Sequence, residues 1–135
     1  MKSKLVMILA AICVLTFSAI VTFPQTAAAD SPPSVVTKTW TGGAGDWSDP
    51  VKWSPNGVPG ATDNVSIETG ADVAIPSGAQ CNWLHSHSPI TINGGTLTLN
   101  SLTQTSEIQD DLTLSSGTLT GSGSLTISGL FTWSG

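Results

Sequence analysis

The ten residues ITINGGTLTL at positions 90 to 99 recur as LTLSSGTLTG at 112 to 121, matched position for position at an offset of 22. FTWSG at 131 to 135 restates LTLSS at 112 to 116 at an offset of 19, and Val65 precedes Ile90 by 25. Short apolar–polar–apolar triplets fill this part of the chain. They are Val65-Ser66-Ile67, Val73-Ala74-Ile75, Ile90-Thr91-Ile92, Leu97-Thr98-Leu99, Leu112-Thr113-Leu114, Leu125-Thr126-Ile127 and Phe131-Thr132-Trp133, each bounded by Gly, Asn, Ser or Pro. Alternation of period two places successive side chains on opposite faces of a strand, and the turn formers end each strand. A unit of 19 to 25 residues built from such strands cannot bury its apolar face alone, so it has to stack on its neighbours.

The expected fold is therefore all-β: a right-handed parallel β-helix, or solenoid, over residues 65–135. Each coil holds about three strands, for example those starting near Leu112, Leu119 and Leu125, and the next coil begins at Phe131. Apolar side chains point inward onto the coils above and below, Thr and Ser point outward, and Gly and Asn take the corners. No stretch after residue 30 spaces its apolar residues as a helix would over two turns. The competing fold is an antiparallel sandwich, which also has strands every 8 to 12 residues. The offset of 22 preserves turn chemistry as well as polarity, which a sandwich has no reason to do. The chain stops at Gly135, one strand into a new coil, without a capping segment or an outer-membrane barrel. It reads as the front end of a longer protein or a truncated frame, whose partners are downstream coils. Failing those, it self-associates through the open edge.

Residues 1–29 read as a secretory signal peptide: Lys2 and Lys4, an apolar run from Leu5 to Val21, then Ala27-Ala28-Ala29 before a cleavage site at Asp30. The run nearly reaches the length of a membrane span, so an uncleaved anchor is the alternative. The product would be secreted or held at the cell envelope, with no other membrane attachment. It keeps Lys38, Lys52, no arginine and nine acids, a balance of 2 − 9 = −7. Without cations to displace counterions from phosphates, a nucleic-acid partner is excluded, and anionic membrane surfaces are disfavoured. Cys81 is the one cysteine left, so no disulfide within the chain can stabilise the domain.

Residues 30–38, with Pro32 and Pro33, read as a flexible leader, and 39–64 as a Trp/Gly-rich cap. In TWTGGAGDWSDPVKWSPNGVP, Trp40, Trp47 and Trp53 are interleaved with turn formers. They either stack on sugar rings, as in a carbohydrate-binding module, or plug the first coil. The plug fits better, because that coil has no coil before it and would expose an apolar disc. The segment resembles the start of large secreted bacterial parallel β-helix proteins, including autotransporter-like passenger regions. Their pattern W-x-G-G-x-G-x-W, a further W, then a Gly and Pro turn and an acidic turn falls on Trp40, Gly42, Gly43, Gly45, Trp47, Trp53, Gly57, Pro59 and Asp63. Lys52 departs from it, where such proteins usually carry Asn. The resemblance spans residues 39 to 135 and implies a β-helix that serves as adhesin, enzyme scaffold or spacer.

Few residues carry chemistry. His85 and His87 form an H-x-H pair whose rings point to one side of a strand, with Cys81 nearby, so a metal site is conceivable. No further ligand is evident, and the favoured reading is a polar connection between coils. Asp46, Asp49 and Asp63 could hold calcium, but they match no calcium loop and suit Asx turns better. Asp110 and Asp111 are neighbours, so as strand residues they would not converge like glycosidase carboxylates, and a charged corner is expected. Asn64-Val65-Ser66 is a glycosylation sequon. No cofactor is implied. The function expected is a secreted or cell-surface structural or adhesin-like β-helix segment without a catalytic site of its own. The alternatives are a carbohydrate-binding module using Trp40, Trp47 and Trp53, with polysaccharide as partner, and the front end of a polysaccharide-active β-helix enzyme.

Overall fold

A computed structural model describes residues 34–135. The signal peptide and the start of the leader lie outside the described residues. The first coil contains β1 (Thr37–Trp40) and β2 (Gly45–Asp46), then a 3-10 turn at Pro50–Lys52 and β3 (Trp53–Ser54). The second contains β4 (Asn64–Ile67), β5 (Val73–Ile75) and β6 (Ala79–Cys81). The third contains β7 (Trp83–Ser86) and the long β8 (Ile90–Leu99), and the fourth β9 (Ser106–Ile108) and β10 (Leu112–Gly121). Strands β11 (Leu125–Ile127) and β12 (Phe131–Trp133) open the last.

Each strand pairs with its equivalent in the next coil. One sheet has the order β11-β9-β7-β4-β1-β3 and the other β12-β10-β8-β5-β2, with β6 beside the second half of β8. All pairings are parallel except β3, which returns antiparallel along β1. The chain is thus a β-solenoid of about four turns, and the antiparallel sandwich is excluded. The offset of 22 is structural register: Leu112 lies beside Ile90 and Leu114 beside Ile92. The offset of 19 sets Phe131 beside Leu112.

Three local expectations are corrected. Val65 is not the equivalent of Ile90. It pairs with Leu84 in the other sheet, and Ile90 pairs with Val73. The triplets at 90–92 and 97–99 are not separate strands, nor are the stretches that start at Leu112 and Leu119. Each set is one ten-residue strand that bends at its centre. Glycine makes the bend: Gly94 has φ +134° and Gly117 φ +106°, and a Cβ on Gly117 would run into the Gly95 carbonyl of the coil beneath. Finally, β1 begins at Thr37, inside the segment read as leader, and Lys38 within it is buried.

The core is a set of vertical stacks. Val73, Ile90 and Leu112 form one, and Ile75 and Ile92 continue to Leu114 in the next. Ala79 and Leu97 form a third, and Cys81 and Leu99 a fourth. Each fully buried aliphatic side chain contributes ~1.5–3 kcal/mol relative to exposure. The sheet holding β7 is more mixed. Leu84 and Ile108 point inward beside Ser86 and Ser106, which are also fully buried. These hydroxyls are satisfied: Ser106 Oγ accepts from the Leu84 N–H at 3.1 Å, and Ser86 Oγ donates to the Ser88 carbonyl at 2.8 Å. At one corner Asn82 Nδ2 donates to Asn64 Oδ1 at 2.9 Å, and Asn100 Nδ2 to the Cys81 carbonyl at 3.0 Å. The sequon asparagine is therefore tied into the coil stack.

Candidate functional site

Three places on the solenoid carry the sequence's unusual residues: the first coil, the outer face at β7, and the last coil. At the first coil Trp40, Trp47 and Trp53 are 1%, 1% and 2% exposed. Trp53 takes the other two edge-on, each at 4.9 Å between ring centroids with interplanar angles of 78° and 65°. A sugar platform needs exposed ring faces, and these indoles offer none, so the stacking role is corrected to a plug. Trp40 is buried as deeply as Trp47 and Trp53. Trp53 Nε1 donates to the Trp47 carbonyl at 2.8 Å and Trp40 Nε1 to the Gly43 carbonyl at 3.2 Å, whereas Trp47 Nε1 is buried without a partner among the described residues.

Both lysines of the described chain close this plug. Lys38 Nζ reaches the Pro55 and Asn56 carbonyls at 3.0 and 3.2 Å. Lys52 Nζ donates to the Ala44 carbonyl at 3.3 Å and lies 5.9 Å from the Trp40 ring centroid. Its stem runs over Gly42, where a Cβ would collide with it. Lys52 therefore has a packing role of its own in the cap.

The outer face of β7 gathers the two histidines with carboxylates from the neighbouring coils. His85 lies on β7 and His87 just beyond its end, and their Nε2 atoms are 3.0 Å apart. Glu68, just beyond β4 in the coil before, puts Oε1 3.8 Å from His85 Nε2 and Oε2 3.7 Å from His87 Nε2. Glu107, on β9 in the coil after, puts Oε2 3.6 Å from His85 Nδ1. Parallel register makes this convergence: Ser66 lies beside His85, and His85 beside Glu107. Two neighbours hold the rings and the carboxylate in place. Trp83 stacks on His85 with an interplanar angle of 9° and 5.7 Å between centroids. Ser66 Oγ donates to Glu68 Oε1 at 2.9 Å. The sequence reading looked to Cys81 for a third ligand, but that thiol lies in the core on β6, fully buried. Burial, reinforced by the negative charge of Asp63, pushes it up to about 12. Glu68 and Glu107 were missed because their proximity to the histidines depends on coil length, which no local pattern encodes.

The aspartates do not converge. Asp49 Oδ1 accepts from the Val51 N–H at 3.1 Å at the start of the 3-10 turn, and Asp63 Oδ2 from the Gly60 N–H at 2.9 Å. Asp46 is exposed on β2. Among the described residues, Glu68, His85 and His87 are the one group of three potential metal ligands gathered within 4.8 Å. Asp110 and Asp111 occupy a corner, where Asp111 Oδ1 accepts from the Leu130 N–H at 2.8 Å. The groove along Val35, Ala61, Thr62, Asn82 and Asn100 has no titratable group in its lining.

On the last coil Leu125 and Ile127 pack against the core, but three other apolar side chains are left uncovered. Leu130 is 65%, Phe131 45% and Trp133 72% exposed, and β11 and β12 each have a neighbour on one side only among the described residues. Comparison with family models, curated proteins and solved structures found no match.

Proposed function

We propose that this chain is a structural segment of a secreted or cell-surface β-solenoid, acting as scaffold or adhesin stalk, with no catalytic site of its own. The observation that carries the reading is the difference between the two ends. The first coil is sealed by three interlocked tryptophans and an antiparallel strand. The last presents strand edges that have no neighbour among the described residues, and the exposed side chains of Phe131 and Trp133. Such a body accepts a further coil at one end only. A free strand edge flanked by apolar side chains templates another strand. Where a second copy supplies it, the sealed end forbids head-to-tail growth, so two open ends meet in a closed dimer rather than a filament.

Sedimentation velocity of the full chain across a concentration series tests this. A monomer–dimer equilibrium is expected, shifted to monomer by Trp133→Lys while the circular dichroism stays unchanged. A monomer at every concentration, or a dimer indifferent to Trp133→Lys, would overturn the reading.

A further inference from the structure

We infer that Glu68, His85 and His87 form a binding site for one divalent first-row transition cation, of which zinc is the representative, on the outer face of the solenoid. The inference stands apart from the scaffold reading. The three side chains offer two imidazole nitrogens and a carboxylate oxygen within 4.8 Å of one another. That donor set suits zinc, nickel or copper, whereas calcium and magnesium demand oxygen ligands.

The geometry is close to what a cation needs. With metal–nitrogen bonds of about 2.05 Å, two Nε2 atoms 3.0 Å apart subtend about 94° at the ion. In a regular tetrahedron with bonds of that length the ligand–ligand distance is about 3.3 Å. The two nitrogens stand 3.0 Å apart, and Glu68 faces each with a different oxygen, Oε1 at 3.8 Å from His85 and Oε2 at 3.7 Å from His87, so a turn of the exposed carboxylate with small shifts of the rings completes the set. Glu68 and His87 are exposed and His85 half-buried, so water can fill the remaining positions and the ion has an open path in.

The surroundings are those of a ligand set held in place. A metal-bound histidine commonly turns its other ring nitrogen toward a carboxylate, which fixes the ring and raises its basicity. Glu107 stands at His85 Nδ1 in that position, 3.6 Å away. Trp83 covers one face of the same ring, and Ser66 orients the Glu68 carboxylate. No lysine contributes to the cluster, so no protein cation competes with the metal: the ion-pair contacts found among the described residues all belong to the two histidines. Bound there, the ion would clamp the coil of β4 to the coil of β7.

Titration of zinc chloride into the chelator-treated full chain, followed by calorimetry, tests the site. The expected result is one ion per chain with micromolar affinity. His87→Ala should weaken binding at least 100-fold, and Glu68→Gln and Glu107→Gln each by about 10-fold. Calcium chloride should show no saturable heat. Both histidines of the chain lie in the cluster, so cobalt should give ligand-field bands without a thiolate charge-transfer band. Lack of saturable zinc binding, His87→Ala or Glu68→Gln binding as tightly as the parent, or a thiolate band with cobalt would each overturn the assignment. His87 and Glu68 are exposed, and unchanged circular dichroism of the two variants separates loss of the site from loss of the fold.

Discussion

Lys38→Met isolates how the plug is fastened. Lys38 lies on β1, 9% exposed, and its ammonium donates to the Pro55 and Asn56 carbonyls at 3.0 and 3.2 Å. Methionine keeps most of the stem and leaves the β1–β4 ladder intact. It removes two hydrogen bonds from a charged donor, each worth ~1.5–3 kcal/mol when desolvated. Two effects reduce that gross loss. Pro55 and Asn56 are exposed, so their carbonyls regain water, and the cost of burying the ammonium disappears. A net destabilisation of about 2 kcal/mol remains. With a urea slope near 1–1.5 kcal/mol/M, the midpoint should fall by about 1–2 M at unchanged slope. Lys52→Met is the control, because it removes the same charge. Its longer 3.3 Å bond and its partly exposed contact with Trp40 predict a loss of about 0.5 kcal/mol. Tryptophan emission reports the plug through its buried component, since Trp40, Trp47 and Trp53 are buried there while Trp133 is exposed. Equal midpoints for the two variants would refute the argument, because the effect would then be net charge rather than fastening.

Two further outcomes follow from the coil geometry and the core. Gly117→Ala should cost about 2–4 kcal/mol, from positive φ and collision with the Gly95 carbonyl. Gly78→Ala, with open space around its Cβ, should stay within about 0.5 kcal/mol of the parent in the same urea titration. The Cys81 thiol, raised from 9.0 to about 12, keeps its proton in the folded chain where the unfolded chain loses it. Its contribution is therefore intact below pH 9 and declines as pH rises from 9 towards 12. Cys81→Ala should flatten the alkaline stability slope over that interval, and an unchanged slope would show that other groups set it.

Much of the architecture was legible because parallel stacking repeats a local pattern. Period-two triplets such as Leu97-Thr98-Leu99 name their own inward face, and the match of 90–99 with 112–121 names the ladder partner. Strands β6, β7 and β9 were not legible. AQC, WLHS and SEI carry one or two apolar residues each, and serines fill core positions there with hydroxyls satisfied by the backbone. Composition could not show that, because a buried serine and a surface serine read alike.

The sequence by itself determined that the chain is all-β, that its coils repeat, and that three tryptophans belong at the front. These follow from side-chain alternation and from turn residues that act within a few positions. Tertiary structure decided the rest, because coil length varies along the chain. Between strands of one sheet the step is 19 residues from Asn64 to Trp83 and 22 from His85 to Glu107. Only the folded register puts Glu68 and Glu107 on either side of His85. Only the packed cap shows that Lys38 and Lys52 fasten it, since each reaches carbonyls distant in sequence and the strength of those bonds depends on how far water is excluded.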